Sequence, residues 1–518
     1  MPGKDYASYK SRFAATSDAW LPTTVTIIFE HSPGVCDEVI PFDTLYHKLA
    51  AKCSRRCGYS CSPNTFMVFL PIARRSETLL ALRYAYLYAD ALPFPLLGRR
   101  ESLRTHYAVS TRHHCPVPEK SLVGNLQRAW QNLACSCPLS PQELTMLKPM
   151  VFTLCSYNVL CQDTMERTMY LYHLCRETDI QWPQRWKALS REFVQLDADI
   201  FCLQEVQANQ YNTFYRKLFD ELGYKGAYKR KTKLKADGCA IFWRASKFEL
   251  AAVREVEYFM PGTSLVCDNI GLVIRLRVLG KEPVQSSSDE EREIVVANTH
   301  LLFNERLGDV KLCQLALLLA HLQQVASAGS VGFRPVILCG DFNATAFSPL
   351  HWFLTKGKLF YEALPRHEVS GQGVLGGPRV GYPLLPDAAE ISERSCRFHV
   401  DLSRAEPNTD SGPDEQRYIG HHLKFIPVYD CERPSEVDWV SFVIGFSTGW
   451  VDHIFYSSSM KTVSFYPHGP PSVVEKLRCK RRLELLSCGE ILRRVGYLPN
   501  AQCGSDHLPL LAEFEFIS

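Results

Sequence analysis

Short apolar runs with polar residues at one end recur along this chain, and they constrain its fold more than any other feature. Residues 335–339 form such a run and lead into Asp341 and Asn343, while Asp506 and His507 lead into the run at 508–511. Buried strands have this form, and a rigid sheet can aim the polar side chains at its edge into a cleft. The pattern therefore predicts buried strands with polar groups gathered where strands meet loops.

Four further runs have the same form, at residues 151–157, 199–204, 294–299 and 450–456. A single polar residue after a strand is usually a turn residue. Six such runs in one chain are hard to explain as turns. Their polar residues are Asn158, Glu205, His300, Asp341 with Asn343, Asp452, and Asp506 with His507.

These residue types suit the hydrolysis of a phosphate ester. A carboxylate can hold Mg²⁺ or activate water, an amide can bind a phosphate oxygen, and an imidazole can offset developing charge. The sequence therefore predicts a hydrolase of this class.

The order of the motifs carries a family resemblance. The segments are SYNVLCQD, FCLQEVQ, DGCAIFWR, VANTHLLFN, CGDFNATAFSPL, VDHIFYS and SDHLPLLAEF. In this order they resemble the endonuclease/exonuclease/phosphatase superfamily, and within it the Angel proteins, which are related to the poly(A)-shortening deadenylases and to nocturnin. The resemblance covers residues 148–518. It implies an α/β fold in which two β-sheets pack face to face, with helices outside and the site at one rim.

The resemblance also implies a metal site. Glu205 would hold the catalytic Mg²⁺, with Mn²⁺ as an alternative ion, and Asn158 would help to fix the ion or its water. Asp506 would lie on the metal side of the site. Mg²⁺ prefers hard oxygen ligands, usually one or two carboxylates together with water.

Roles in catalysis follow from the same resemblance. Asp341 would orient or deprotonate the attacking water, and Asn343, on the same face two residues later, would hold a phosphate oxygen. His507 would stay protonated through a pairing with Asp452 and stabilise the transition state. His300 would be a second cationic donor to the phosphate.

One residue departs from the family pattern. His453 follows Asp452 where the family usually has Tyr, and we expect it to face the other side of the strand so that catalysis survives. Asn304 and Arg306 follow His300 in a loop and are predicted to contact the phosphate or the adjoining ribose.

A basic run is the main candidate for RNA contact, because the net charge of the whole chain is only +3. It contains six cations between residues 225 and 235, with Tyr224 and Tyr228 interleaved. We expect bases to stack on these aromatic rings, and Lys229, Arg230 and Lys231 to contact substrate. A solvated surface and a nuclear localisation signal remain open as alternatives. Residues 480–482 form a smaller cluster with the same ambiguity.

The rest of the chain divides into three parts. Residues 1–147 match no family we recognise; a helix is predicted at 79–97, and the cysteines at 53, 57 and 61 are interpreted as free thiols rather than a zinc site. From residue 148 strands alternate with helices predicted at 186–196, 211–222 and 310–325. Residues 366–428 are rich in Gly, Pro and Ser and are predicted to be a partly disordered surface insertion.

Three functions fit these features. The first is Mg²⁺-dependent removal of a 2′,3′-cyclic phosphate from RNA 3′ ends, leaving a 2′,3′-diol. The second is 3′-to-5′ removal of poly(A), which would use the same residues; the absence of a leucine-rich repeat in the sequence favours the first. The third is an inactive scaffold that binds RNA or a translation factor, which the filled site disfavours. A translation-factor partner follows from the resemblance, although no Tyr-x4-Leu-aliphatic motif is convincing.

Cellular placement is predicted from composition. No apolar core of a secretory signal is visible at the start of the sequence. The 20 cysteines are therefore expected to be reduced thiols, in the cytoplasm or nucleus. A mitochondrial presequence is disfavoured. No apolar stretch reaches the roughly 18 residues of a membrane span. We expect a monomer.

Overall fold

The structure is a computed structural model in which the chain separates into two compact units, residues 1–103 and 104–518. The residues that the structure describes are 24–30, 65–71, 128–133, 141–279, 292–329, 332–372, 377–402, 417–430, 438–445, 447–463 and 471–517. In the first unit the strands Thr24–Glu30 and Thr65–Pro71 pair in parallel. The helix predicted at 79–97 and the cysteines at 53, 57 and 61 lie outside the described residues.

Two large sheets form the described part of the second unit, and their strands are numbered together in chain order. The first sheet contains β1 (Trp130–Asn132), β2 (Met150–Asn158), β3 (Ile200–Gln207), β4 (Tyr224–Arg230), β5 (Asp237–Arg244), β12 (Leu477–Leu483) and β13 (Leu510–Phe516). The second contains β6 (Phe248–Glu257), β7 (Ile270–Val278), β8 (Glu293–His300), β9 (Val336–Asp341), β10 (Ile426–Pro427) and β11 (Asp452–Ser457).

Both sheets are mixed. The first runs in the order β1-β12-β13-β2-β3-β5-β4, and the second in the order β10-β11-β9-β8-β7-β6. Within each sheet one central pair of strands is parallel, β2 with β3 and β8 with β9, and the other neighbours are antiparallel. The two parallel pairs bring their carboxyl ends to the edge where the predicted polar residues lie.

Helices and short strand pairs complete the described structure. The helices are α1 (Pro141–Leu147), α2 (Gln162–Arg167), α3 (Trp182–Leu196), α4 (Ala208–Gln210), α5 (Lys217–Glu221), α6 (Gly308–Ala326), α7 (Pro349–Lys356), α8 (His399–Leu402) and α9 (Cys488–Arg494), with a π-helical turn at Tyr211–Arg216 and 3₁₀ turns at Met169–Tyr172 and Asp387–Ala389. The short antiparallel pairs are Lys358–Phe360 with Tyr418–Gly420, Ile391–Ser392 with Arg397–Phe398, Trp439–Val440 with Leu486–Ser487, Phe442–Ile444 with Ser447–Gly449, and Met460–Val463 with Ser472–Glu475.

The core has one layer between the sheets and one on each outer face. Phe152 and Leu154 of β2 pack between the sheets with Ile294 and Val296 of β8, while alternate residues of the same strands point outward to the helices. This period-2 alternation is what strands buried on both faces require. The predicted two-layered sandwich with outer helices is confirmed, as are the three helices predicted after residue 148.

The segment predicted to be a surface insertion is not peripheral where the structure describes it. Val380, Leu384 and Ile391 are buried against α6, and the thiol of Cys313 on that helix donates to the carbonyl of Leu384 at 3.1 Å. The prediction of a surface segment is wrong for these residues, because their isolated apolar side chains belong to the same core as α6.

The first sheet also begins earlier than the predicted boundary at residue 148. Strand β1 pairs with β12, and Arg128 donates to the carbonyl of Pro509 at 2.6 Å. A strand of three residues is too short to carry an alternating pattern, which is why the sequence did not indicate it.

Candidate active site

The polar residues of the site lie at strand ends, on the strand faces that point into the space between the two sheets. On β8, Ile294 and Val296 face the space between the sheets, so Asn298 and His300 face it too, at the edge where the strand ends. The same alternation brings Asn158 on β2, Asp341 on β9 and Asp452 on the antiparallel β11 to this edge. Both sheets therefore contribute to one rim, as the sequence predicts.

Glu205 reaches the site through a β-bulge. The register between β3 and β5 shifts between Leu203 and Val206, and Glu205 has a φ of 59°, in the left-handed region that a non-glycine residue rarely adopts. Leu203 and Val206 both face the outer helices, so the two residues between them are left for the inner side. Backbone strain of this kind persists where surrounding contacts over-determine it.

Asn158 links carboxylates from the two sheets. Its Nδ2 donates to Glu205 Oε1 and to Asp341 Oδ2, both at 3.0 Å, while its Oδ1 accepts from the backbone N–H of Leu160. The other oxygen of Glu205 accepts from the backbone N–H of Cys161 at 2.9 Å. In this orientation Asn158 holds the two carboxylates together instead of presenting its oxygen to an ion.

His507 is paired with Asp452, as the family resemblance implies. Their Nδ1 and Oδ2 atoms are 2.8 Å apart and both side chains are buried. Burial alone would lower the pKa of His507, but Asp452, and then Asp506 and Asp341, raise it well above its ordinary value. Nε2 of this imidazolium lies 3.9 Å from Asp341 Oδ2, so His507 presents a positive charge to the centre of the site.

His453 does not disturb that pairing. Its Nε2 lies 2.9 Å from the carbonyl oxygen of Ala344, and its ring packs beside Phe342 and Phe455 on the opposite face of β11 from Asp452. Burial lowers the pKa of His453 to about 3. The residue that departs from the family pattern therefore belongs to the outer core layer, as expected.

His300 differs from its predicted cationic role. Burial, and then the charges of Lys231, His507 and Lys311, lower the pKa of His300 well below its ordinary value. Its Nε2 is 3.7 Å from Asp341 Oδ2, and its buried Nδ1 has no hydrogen-bond partner in the structure. At neutral pH it is a neutral imidazole, which can still donate one N–H to a phosphate oxygen.

Asn343 is held by a buried lysine that sequence reasoning missed. Asn343 has a φ of 46°, its Nδ2 donates to the carbonyl of Leu301, and its own carbonyl accepts from Lys311 Nζ at 2.6 Å. Lys311 also donates to Gln372 Oε1 at 2.8 Å, and burial lowers the pKa of Lys311 to about 7. A lysine in the first turns of an amphipathic helix is usually exposed, so the sequence gave no signal.

Arg185 is a second residue that the sequence did not reveal. It is fully buried on α3, and its guanidinium donates to the carbonyl oxygens of Gly504, Val159 and Leu160 and to the side-chain oxygen of Gln162. It thus joins the loop after Asn158 to the loop before Asp506 and His507. Its bonding partners are brought to it only by the fold.

Asp506 lies beside Glu205, on the side predicted for the metal. Its Oδ2 accepts from the hydroxyl of Tyr172 at 2.8 Å. Burial, the charge of Asp237 and then that of Asp506 raise the pKa of Glu205, against a lowering by Lys231. Burial and Asp452 likewise raise the pKa of Asp341 to about 7.

These carboxylates fit a divalent cation. Asp341 is buried and Glu205 is half-buried, and burial together with neighbouring carboxylates raises the pKa of both. A hard cation, which prefers oxygen ligands, would offset this excess of negative charge. Asp341, Asp452 and His507 also bring potential ligand atoms within 4.8 Å of one another. Asp452 raises the pKa of His507 well above its ordinary value, which favours the protonated ring that binds no metal. We therefore regard those three as a hydrogen-bonded cluster and place the cation nearer to Glu205.

The basic run divides into residues with different surroundings. Lys231 is half-buried and pairs with Asp237 at 2.6 Å, and Lys229 pairs with Glu255 at 3.0 Å, whereas Arg230 is exposed. Tyr224 is buried with its hydroxyl on the carbonyl of Ala198. The prediction that Tyr224 stacks on bases is therefore wrong, because its ring belongs to the core.

The other predicted surface residues are also placed. Asn304 and Arg306 are exposed in the loop after His300, where the backbone N–H of Arg306 donates to Asn304 Oδ1 at 3.0 Å, and the neighbouring Phe303 is 72% exposed. In the smaller basic cluster, Lys480 pairs with Glu515 and Arg481 with Glu513, on the first sheet. No helix within the described ranges is long and apolar enough to cross a membrane.

Comparison with known proteins gives a consistent set of relatives. Residues 155–507 match the Endonuclease/Exonuclease/phosphatase family. Human protein angel homolog 2 is 38% identical over 382 residues, which cover 70% of this chain and 69% of that protein. Human protein angel homolog 1 is 34% identical over 431 residues, which cover 70% of this chain and 62% of that protein. The crystal structure of ANGEL2, a 2′,3′-cyclic phosphatase, in complex with adenosine-2′,3′-vanadate is 36% identical with a TM-score of 0.62, covering 76% of this chain and 100% of that one.

Proposed function

Because the chain belongs to the Endonuclease/Exonuclease/phosphatase family, and within it to the Angel proteins, we propose that it removes 2′,3′-cyclic phosphate from RNA 3′ ends with Mg²⁺. Phosphoesterase activity follows from the family. The choice of substrate is supported by one observation, the 36% identity to ANGEL2, a 2′,3′-cyclic phosphatase, over 76% of this chain.

The site residues have complementary roles in this proposal. Asp341, whose pKa of about 7 lies near the operating pH, orients the attacking water and accepts its proton. Asn343 and the neutral His300 donate to phosphate oxygens, and the imidazolium of His507 stabilises the charge that builds up in the transition state. Mg²⁺, held by Glu205 with Asn158 and Asp506 beside it, would polarise a phosphate oxygen.

Removal of a cyclic phosphate takes two hydrolytic steps, and both can use the same groups. In the first, a water oxygen bonds to phosphorus and one ribose oxygen leaves with a proton, which opens the ring to a phosphomonoester. In the second, another water releases inorganic phosphate and leaves the 2′,3′-diol. Each step forms one P–O bond and breaks one, so no other reactant is needed.

The RNA would reach this site along two exposed loops. Phe303, Asn304 and Arg306 lie just beyond His300, and an exposed aromatic ring beside a cation suits a terminal nucleoside. At the β4–β5 hairpin Arg230 is exposed and can contact the backbone, while the pairing of Lys229 and Lys231 with carboxylates weakens their proposed contribution. We place the enzyme in the cytoplasm or nucleus, where its RNA substrates would be.

Two short labelled RNAs test the proposal in the presence of Mg²⁺. One ends in a 2′,3′-cyclic phosphate and the other in an A₂₀ tail with a free 3′-hydroxyl, and Glu205→Ala protein is the control. Loss of the terminal phosphate without shortening is expected. Progressive shortening of the tail would instead assign the chain to the deadenylases, and no change in either RNA would refute both activities.

The same assay tests the proposed RNA contacts. Arg306→Ala is expected to raise KM with little change in kcat, since it removes a contact made equally in the ground and transition states. Lys480→Ala is the matched control, because that lysine is already paired with Glu515 on another surface. Equal effects of the two substitutions would contradict the assignment of Arg306.

A further inference from the structure

Two buried amides connect the sheets beneath the active site. Gln204 on β3 donates through Nε2 to Asn298 Oδ1 on β8 at 2.7 Å, and neither residue is exposed to solvent. Gln204 directly precedes Glu205, and Asn298 lies two residues before His300 on the same face of its strand. We propose that this amide pair is a positioning device that fixes the alignment of the two sheets and thereby the geometry of the site.

The contacts of Asn298 support this role. Its Nδ2 donates to the carbonyl oxygens of Leu203 and Ala240, at 2.9 and 3.0 Å, both in the opposite sheet. Leu203 and Ala240 face each other at the last regular step before the bulge that contains Glu205. Asn298 therefore bonds to the first sheet at the position where the regular pairing of β3 with β5 ends and the bulge that contains Glu205 begins.

The surroundings of the pair are apolar. Cys202 and Val296, two residues before Gln204 and Asn298 on their strands, belong to the core between the sheets. Apolar side chains of similar size would fill this space without having to match donors to acceptors, and replacing both members of such a pair is often neutral for stability. Apolar contacts are non-directional, whereas these hydrogen bonds favour one alignment of the sheets.

That alignment matters because the reacting groups are divided between the sheets. Asn158 of the first sheet bonds at 3.0 Å to Asp341 of the second, and His300 and Asp341 are register partners on adjacent strands. A slip between the sheets would carry Glu205 and Asn158 away from the other two. The amide pair touches no reacting atom and acts through these residues, whichever phosphate ester is cleaved.

The test uses the full chain with Gln204→Met, with Asn298→Leu, and with both substitutions. Stability is followed by the urea midpoint, activity by kcat and KM on an RNA ending in 2′,3′-cyclic phosphate with Mg²⁺, and local opening by hydrogen exchange. Each single variant is expected to lower the midpoint, because it leaves a buried amide without its partner.

The double variant separates positioning from stability. It is expected to regain part of the midpoint that the single variants lose, since the carbonyl oxygens of Leu203 and Ala240 still lack the donor that Asn298 supplied. Its kcat should stay about 100-fold low with KM little changed, because misplacement by about 1 Å costs that much. Amide exchange at residues 203–206 and 298–301 should also rise. A double variant with wild-type kcat and wild-type exchange would overturn the proposal.

Two further outcomes are covered by the same variants. If the double variant does not fold, the single variants decide at a temperature where circular dichroism shows each folded, and wild-type kcat in both would overturn the proposal. If the wild-type protein leaves this RNA unchanged, the proposed substrate is wrong, and hydrogen exchange in the double variant alone decides. Faster exchange at the two segments than in the rest of the two sheets supports the pair, and unchanged exchange overturns it.

Discussion

Replacing Asp452 with Asn should change the charge of His507. In the wild-type protein this imidazolium is nearly independent of pH, whereas in the variant it should lose its proton above neutral pH. Asp452 accepts from His507 at 2.8 Å in a buried pair, and its charge is the largest influence that keeps the pKa of His507 high. Asn keeps the size of the side chain and can still accept from Nδ1–H, but it removes the charge. We therefore expect the pKa of His507 to fall while the ring keeps its place.

The size of the effect follows from the contact. A hydrogen bond to a charged group contributes about 1.5–3 kcal/mol. Coulomb attraction at about 4 Å and an effective dielectric constant of about 20 gives about 4 kcal/mol as an upper value for the interaction of the imidazolium with the carboxylate. Loss of the proton at alkaline pH should then cost about 10²–10⁴ in rate.

The assay is kcat/KM from about pH 5 to about pH 9 at saturating Mg²⁺. The Asp452→Asn protein should approach wild-type activity at the acid end and fall progressively behind as pH rises. His453→Tyr is the matched control, since this neighbour faces the opposite side of β11 and should leave the profile unchanged. An equal loss at every pH would refute the view that Asp452 acts by keeping His507 charged.

Three further predictions follow from buried charges. Glu205→Gln should abolish hydrolysis and the Mg²⁺-induced rise in melting temperature, yet raise the melting temperature in EDTA, because it neutralises a half-buried carboxylate with a raised pKa; thermal melts with Mg²⁺ and with EDTA check both effects. Metal-free protein should lose up to about 4 kcal/mol of stability as pH rises from about 4 to about 7, because folded Asp341 keeps a proton that the unfolded chain has lost. The pKa of Asp341 is about 7 in the folded protein and 3.8 ordinarily. If this is wrong, urea titrations will show a free energy of unfolding that does not change with pH across that range. Arg185→Met should cost about 3–5 kcal/mol, because its buried acceptors lose their donors; a urea midpoint close to that of wild type would contradict this.

The residues at strand ends were predictable because the signal is local. In each strand every second residue is apolar until a polar residue stands at the strand end, and this pattern is visible in the sequence. It predicted that Asn158, His300, Asp341 and Asp452 lie at one rim. The family resemblance added the fold, which alternation alone does not specify. The position of His453 followed from the same alternation.

The supporting residues were not predictable because their partners are distant in the chain. Lys311 meets Asn343 and Gln372 only after α6 packs on the second sheet, and Arg185 meets Gly504 across 319 positions. Their charge types at helical positions suggest solvent exposure. The lowered pKa of His300 was also not predictable, since burial and the charges around the ring are properties of the packed structure.

The reacting groups are divided between two sheets. The side chains between the sheets must therefore keep the sandwich packed and also keep the reacting groups aligned. A core substitution that keeps the sandwich packed can still move Asn158 and Asp341 apart, and about 1 Å would be enough to impair the chemistry. Natural selection would then remove variants that thermodynamics tolerates. We therefore expect the interior layer near the rim to evolve more slowly than the equally buried layer beneath the outer helices.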